Sequence, residues 1–119
     1  METHNLLKIP DIGEIALDIL NEEHRVGRPY VVKKGSLFKM YFGYGSDDKP
    51  YQLGYAESSN GKIWIRNDEK LNLPLSKEGW DSEMMAYPCV INFNSKTYIF
   101  YNGNEYGRYG FGYAELIQE

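Results

Sequence analysis

Hydrophobic and polar positions alternate along this chain in short runs, and the runs recur. Residues 29–57 and 88–115 are two copies of one pattern. Pro29 matches Pro88, and Met40-Tyr41-Phe42 matches Ile99-Phe100-Tyr101. Gly54-Tyr55-Ala56-Glu57 returns as Gly112-Tyr113-Ala114-Glu115. The offset is 59 residues at the front and 58 at the back, so the second copy has lost one loop residue. Self-similarity at a fixed spacing is the mark of a repeat architecture.

Each copy predicts a three-strand meander. In the first the strands are Tyr30–Lys33, Leu37–Tyr44 and Tyr51–Glu57; in the second they are Cys89–Asn92, Lys96–Asn102 and Tyr109–Leu116. A proline at a strand's first position costs no ladder bond, so Pro29 and Pro88 mark strand starts. Lys34-Gly35-Ser36 and Phe93-Asn94-Ser95 supply tight turns. After the turn Ser58-Ser59-Asn60-Gly61, a fourth strand is expected over Lys62–Arg66, with Trp64 as a core residue. Asn5–Asp11 resembles Lys62–Asp68 and is expected to be an outer strand that completes the second copy or a neighbour. Ile12, Ile15, Ala16 and Ile19 have helical spacing, whereas Gly13 favours an irregular segment.

Composition supports a β architecture. Eleven Tyr and 12 Gly in 119 residues suit half-buried strands and tight turns, and argue against a helical bundle. Thirteen basic against 17 acidic residues leave a net charge of −4, without the basic stripe a nucleic-acid partner needs. The single Cys89 excludes a disulfide framework and a multi-cysteine zinc site, and is expected as a small buried hydrophobe. His4 and His24 lack metal-ligand spacing, and Asp47-Asp48 is too short for the usual calcium loop. Gly103-x-x-x-Gly107 lacks the Lys-Ser/Thr pair of a phosphate loop, so neither a cofactor nor a metal is expected. Met1-Glu2-Thr3-His4 has no basic, apolar leader character, and no run approaches the ~20 apolar residues of a membrane span. A cytoplasmic location without membrane contact is the expectation.

Several motifs, in order, resemble one superfamily. They are Arg28-Pro29-Tyr30-Val31, Lys39-Met40-Tyr41-Phe42, Gly54-Tyr55-Ala56-Glu57-Ser58, Gly61-Lys62-Ile63-Trp64, Gly79-Trp80-Asp81-Ser82-Glu83-Met84, Tyr87-Pro88-Cys89-Val90 and Phe100-Tyr101-Asn102-Gly103-Asn104. Together they resemble the five-bladed β-propeller glycosidases, the superfamily of glycoside hydrolase families 43, 32, 62, 68 and 130. The resemblance implies an all-β chain of two four-stranded antiparallel propeller blades, a partial five-bladed β-propeller corresponding to the last two blades. Residues 1–27 would be an outer strand and connector, 28–75 the first blade and 76–119 the second. Two blades cannot close a ring, and their lateral faces would expose apolar surface. Completion by association is therefore expected, as a homo-oligomer in the first instance, or with a chain carrying the missing blades.

The resemblance also implies a function: a glycosyl hydrolase-like, carbohydrate-associated protein, hydrolysing a glycoside through paired carboxylates in an assembled oligomer. The alternative is a non-catalytic glycan-binding or structural propeller fragment. In the resembled enzymes several acids sit immediately before the strand-opening proline. Here those positions read Gly27-Arg28-Pro29 and Ala86-Tyr87-Pro88, without a carboxylate. The nearest candidates are Asp81 and Glu83, which flank Ser82 and would point the same way in an extended chain. Paired acids across a scissile bond are what glycoside hydrolysis requires. Arg28, Tyr44, Asp47, Trp80, Asn102, Asn104, Tyr106 and Arg108 are the expected sugar-binding residues, with Asp48 and Glu105 as further polar groups on the same rim. Some relatives carry a calcium ion on the propeller axis.

Overall fold

The alternation becomes pairing in the computed structural model, which describes residues 13–117. Strands β1 (Arg25–Lys34), β2 (Leu37–Gly45), β3 (Gln52–Ser58) and the short β4 (Ile65–Arg66) form one antiparallel sheet in chain order. A helical turn, α1 (Asp68–Leu71), follows. Strands β5 (Ala86–Phe93), β6 (Lys96–Asn102) and β7 (Phe111–Leu116) form a second sheet, with the kinked turn α2 (Asn104–Gly107) between the last two. The described residues are all-β apart from these turns, with antiparallel sheets of four and three strands. The outer strand expected over residues 5–11 lies outside the described residues.

Both prolines fall inside strands, not at their starts. β1 and β5 each begin before the proline and shift register across it, between Gly27 and Tyr30 and between Ala86 and Cys89. The bulges put Arg28 at φ 53° and Tyr87 at φ 57°, a left-handed conformation that side chains rarely adopt. The proline's missing N–H is tolerated because β1 and β5 are edge strands. In the second hairpin Asn94 and Ser95 both have positive φ, 50° and 63°, as a type I′ turn requires.

The expected fourth strand shrinks to Ile65–Arg66 for a local reason. Ser58 Oγ accepts the Gly61 N–H at 2.8 Å, and Asn60 Oδ1 accepts those of Lys62 and Ile63 at 2.9 Å each. Side-chain acceptors thus capture amides that a strand would have paired. Trp64 still packs as core, against Met40, Phe42 and Ala56.

The two sheets stack face to face. Tyr41, Leu53 and Tyr55 of the first meet Val90, Ile99 and Tyr101 of the second, around Met85. Leu71, Leu73 and Leu75 of the crossover pack against the same cluster. The opposite face of the first sheet carries Met40, Phe42 and Ala56, which are buried beneath Leu17, Val26, Tyr44 and Trp64. No helix forms over the described part of the segment before β1. That segment is pinned through Glu23, whose carboxylate accepts two Arg66 guanidinium bonds at 2.7 and 2.8 Å, while Asp68 takes the guanidinium's other edge. The same guanidinium lies 5.0 Å from the Phe42 ring centroid and 4.7 Å from that of Tyr44.

Cys89 is exposed, contrary to its expected burial. Its neighbour Val90 takes the inward position, and the thiol stays at the exposed margin of the sheet, within hydrogen-bonding reach of Tyr30.

Candidate functional site

The loop from Gly79 to Met84 turns where the sequence suggested an extended chain. Gly79 takes φ 103°, and its carbonyl accepts the Ser82 N–H at 3.3 Å and the Ser82 hydroxyl at 2.9 Å. Asp81 and Glu83 are therefore parted. Asp81 is buried, only 6% exposed, and its Oδ2 accepts the Tyr101 hydroxyl at 2.8 Å. Burial first, and then this bond to a carboxylate, push the Tyr101 phenol far above its ordinary value. Glu83 is exposed.

Asn104 closes the loop like a bracket. Its Oδ1 accepts the Glu83 and Met84 N–H groups at 2.8 and 3.0 Å. Its Nδ2 donates to Gly79 O at 3.0 Å and to Ser82 Oγ at 3.2 Å, and its own N–H donates to Trp80 O at 2.7 Å. This residue is buried, and every polar group of its amide is engaged within the protein. Trp80 stacks on Tyr101 with ring centroids 5.3 Å apart and lies against Gly103 and Gly112. A Cβ on Gly112 would come within 2.6 Å of the indole, so this position has room for no side chain.

An open cleft of about 520 Å³ results, lined by Gly79, Trp80, Ser82, Glu83, Asn104, Glu105 and Tyr109. Glu105 projects into it because α2 is kinked, with Glu105 and Tyr106 at φ 53° and 57°. The Tyr109 hydroxyl hydrogen-bonds Glu105; the negative charge of Glu105, with that of Glu83 behind it, holds the phenol above its ordinary value. The carboxylate that shares the cleft with Glu83 is thus Glu105, not Asp81.

Beside the cleft runs a ridge of cations and rings. The Arg28 guanidinium lies 4.7 Å from the Tyr87 ring centroid, and Tyr87 stacks on Tyr106 at 6.1 Å. Tyr106 meets Tyr51 edge-on at 6.1 Å, and Arg25 covers Tyr51 at 4.9 Å. Such contacts are worth about 0.5–1 kcal/mol each at exposed sites.

The other expected sugar-binding residues scatter. Asn102 donates to Tyr106 O at 3.1 Å, and Arg108 reaches Glu105 at 3.9 Å, so both brace the α2 turn. Asp47 stands apart, 3.0 Å from His24 Nδ1. Tyr44 points to the opposite face of its sheet, beneath Arg66, and burial raises its phenol. Ser82, Tyr87 and Tyr109 escaped the sequence reading as site residues. Tyr87 alone had a signal, since the repeat aligns it with Arg28. Among the described residues no three His, Cys, Asp or Glu side chains are grouped to hold a metal ion, and no helix is long and apolar enough to cross a membrane.

No family model matches the sequence. The chain is 35% identical over 89 residues to "Uncharacterized protein Rv1502" of Mycobacterium tuberculosis strain ATCC 25618 / H37Rv, across 75% of this chain and 29% of that protein. It is 34% identical to "Uncharacterized protein MT1551" of strain CDC 1551 / Oshkosh over the same shares. The chain thus spans under a third of the curated relatives it matches. Among solved structures it resembles a "Glycoside hydrolase", with a TM-score of 0.61 and 18% identity over 79% of this chain and 28% of the other. It also resembles the protein BT0996 in its RGII complex, with a TM-score of 0.56 and 18% identity over 76% of this chain and 26% of the other. At that identity the likeness is one of fold.

Proposed function

We propose that the two sheets are successive blades of a β-propeller and that the cleft between Trp80 and Tyr109 binds a saccharide. One observation carries the reading: Glu83, Glu105, Ser82 and the Tyr109 hydroxyl converge on a single open cleft with an indole at its wall. Exposed carboxylates and hydroxyls are the acceptors and donors that a polyol's hydroxyls need. The fold likeness to a glycoside hydrolase supports the same ligand class. Binding without turnover fits best, because Asp81 is committed to Tyr101 and the two positions before the prolines carry Arg28 and Tyr87. Titration with a panel of mono- and oligosaccharides, followed by amide chemical shifts, tests it. Binding should move the Gly79–Met84 and Asn104–Tyr109 resonances. A panel that moves none of them refutes it.

The Glu83 and Glu105 pairing favours a second reading, glycoside hydrolysis with Glu83 as the acid. Turnover of an aryl glycoside, lost in both Glu83→Gln and Glu105→Gln while the fold persists, would establish it. Turnover unaffected by either change would eliminate this pair.

A further inference from the structure

Of the four arginines, Arg66 is held by Glu23 and Asp68, and Arg108 reaches Glu105. Arg25 and Arg28 meet no carboxylate among the described residues, although acids outnumber bases in the chain by 17 to 13. Arg25 Nε is buried and has no hydrogen-bond partner. Both guanidiniums lie on tyrosine rings instead, Arg25 on Tyr51 and Arg28 on Tyr87, and Tyr106 stands 6.1 Å from each of those rings. Residues three apart on a regular strand face opposite ways. The extra residue of β1 between Gly27 and Tyr30 breaks that alternation, and both cations reach one row of tyrosines.

The row abuts the cleft. Tyr106, 53% exposed, directly follows Glu105, which shares the cleft with Glu83, Ser82 and Tyr109. Charge is thus sorted along one surface, with carboxylates in the cleft and unpaired guanidiniums along the tyrosines. An anionic group is repelled by Glu83 and Glu105 and drawn to the ridge. We propose that the saccharide of the cleft is an acidic one, with a sugar carboxylate on Arg28, the charge of Arg25 behind it, and sugar hydroxyls at Glu83, Ser82 and Tyr109. Arg28 is exposed, and a guanidinium over a ring keeps its N–H donors in its own plane, where a carboxylate can take two of them. The assignment rests on the cleft binding a saccharide and adds the class of sugar.

Calorimetric titration with glucuronate and galacturonate disaccharides, and with the methyl ester of each, tests it. The ester keeps the shape and removes the charge. At least one acid should bind about tenfold more tightly than its ester, the worth of one charge-assisted hydrogen bond. That acid should move the amide resonances of Gly79–Met84 together with those of Arg28, Tyr87 and Tyr106. Arg28→Gln should bind acid and ester alike, and Arg28→Lys should keep part of the preference. Arg28→Gly, which relieves the left-handed strain, replaces the glutamine variant if circular dichroism shows that variant unfolded. Esters or neutral sugars that move the cleft as strongly as the acids overturn the acidic assignment and leave the saccharide reading standing. If neither acid nor neutral sugar moves the cleft, both fall. A preference for the acid that survives in folded Arg28→Gln also overturns the assignment. So does inorganic phosphate that binds the ridge as tightly as the uronates, since the ridge would then take any anion.

Discussion

Arg28 and Tyr87 occupy the same position in the two repeats, and they touch: the guanidinium carbon of one lies 4.7 Å from the ring centroid of the other. Each sits on a left-handed bulge immediately before a proline. Two strained backbones are thereby joined across the sheets by one side-chain contact. The strain costs about 1–2 kcal/mol per residue, and the contact returns less than that.

A double-mutant cycle with Arg28→Ala and Tyr87→Ala should give a coupling of about 0.5–1 kcal/mol by urea denaturation. Arg28→Gly should be milder than Arg28→Ala, since glycine gives up the same contact but relieves the left-handed strain. A coupling indistinguishable from zero would show that the pair merely lie side by side.

The Tyr101–Asp81 bond sets an alkaline limit. The phenols of Tyr55 and Tyr101 are both raised from the ordinary 10.0, chiefly by burial and then by their bonds to Glu57 and Asp81. A raised phenol gives its full stability below pH 10 and loses it as pH climbs toward the folded value, because the unfolded chain releases the proton first. Denaturation midpoints should therefore fall above about pH 10, and less steeply in Tyr101→Phe. At neutral pH the same substitution should cost about 1.5–3 kcal/mol, the worth of a hydrogen bond to a charged group.

Gly112→Ala should lower stability by about 1–3 kcal/mol, through overpacking against the Trp80 indole. Trp80 fluorescence in a Trp64→Phe background should shift with it. An unchanged spectrum and melting temperature would mean that the indole yields freely.

Removing the Arg66 guanidinium leaves Glu23 and Asp68 facing each other. Arg66→Ala should cost about 3 kcal/mol, near the low end for a broken buried pair because Asp68 is partly exposed. Thermal unfolding of Arg66→Ala beside Arg66→Lys measures it. Equal stability of the wild type and Arg66→Ala would demote the network to decoration.

Tyr109 reports on the cleft. Its phenol is raised mainly by the charge and hydrogen bond of Glu105, and least by the charge of Glu83. In an ultraviolet titration Glu105→Gln should move it back toward 10.0 further than Glu83→Gln does. The reverse order would place Glu83 nearer the hydroxyl and redraw the cleft.

Periodicity carried most of the fold. The two copies and the meander in each were legible because side chains on a strand alternate with a period of two. The sequence could not show that Pro29 and Pro88 sit inside strands, because a bulge is chosen by the partner strand's register. Nor could it part Asp81 from Glu83. Their spacing allows one shared side only in an extended chain, and the turn at Gly79 is held by Asn104, 25 residues further on. Glu105 reaches the cleft through two left-handed residues that leave no mark in composition. What the residues determined alone was therefore local: which positions face inward, and how often the pattern returns. Which carboxylates meet, and which sheet faces are covered, depends on contacts between residues far apart in the chain, and only the packed sheets set those distances.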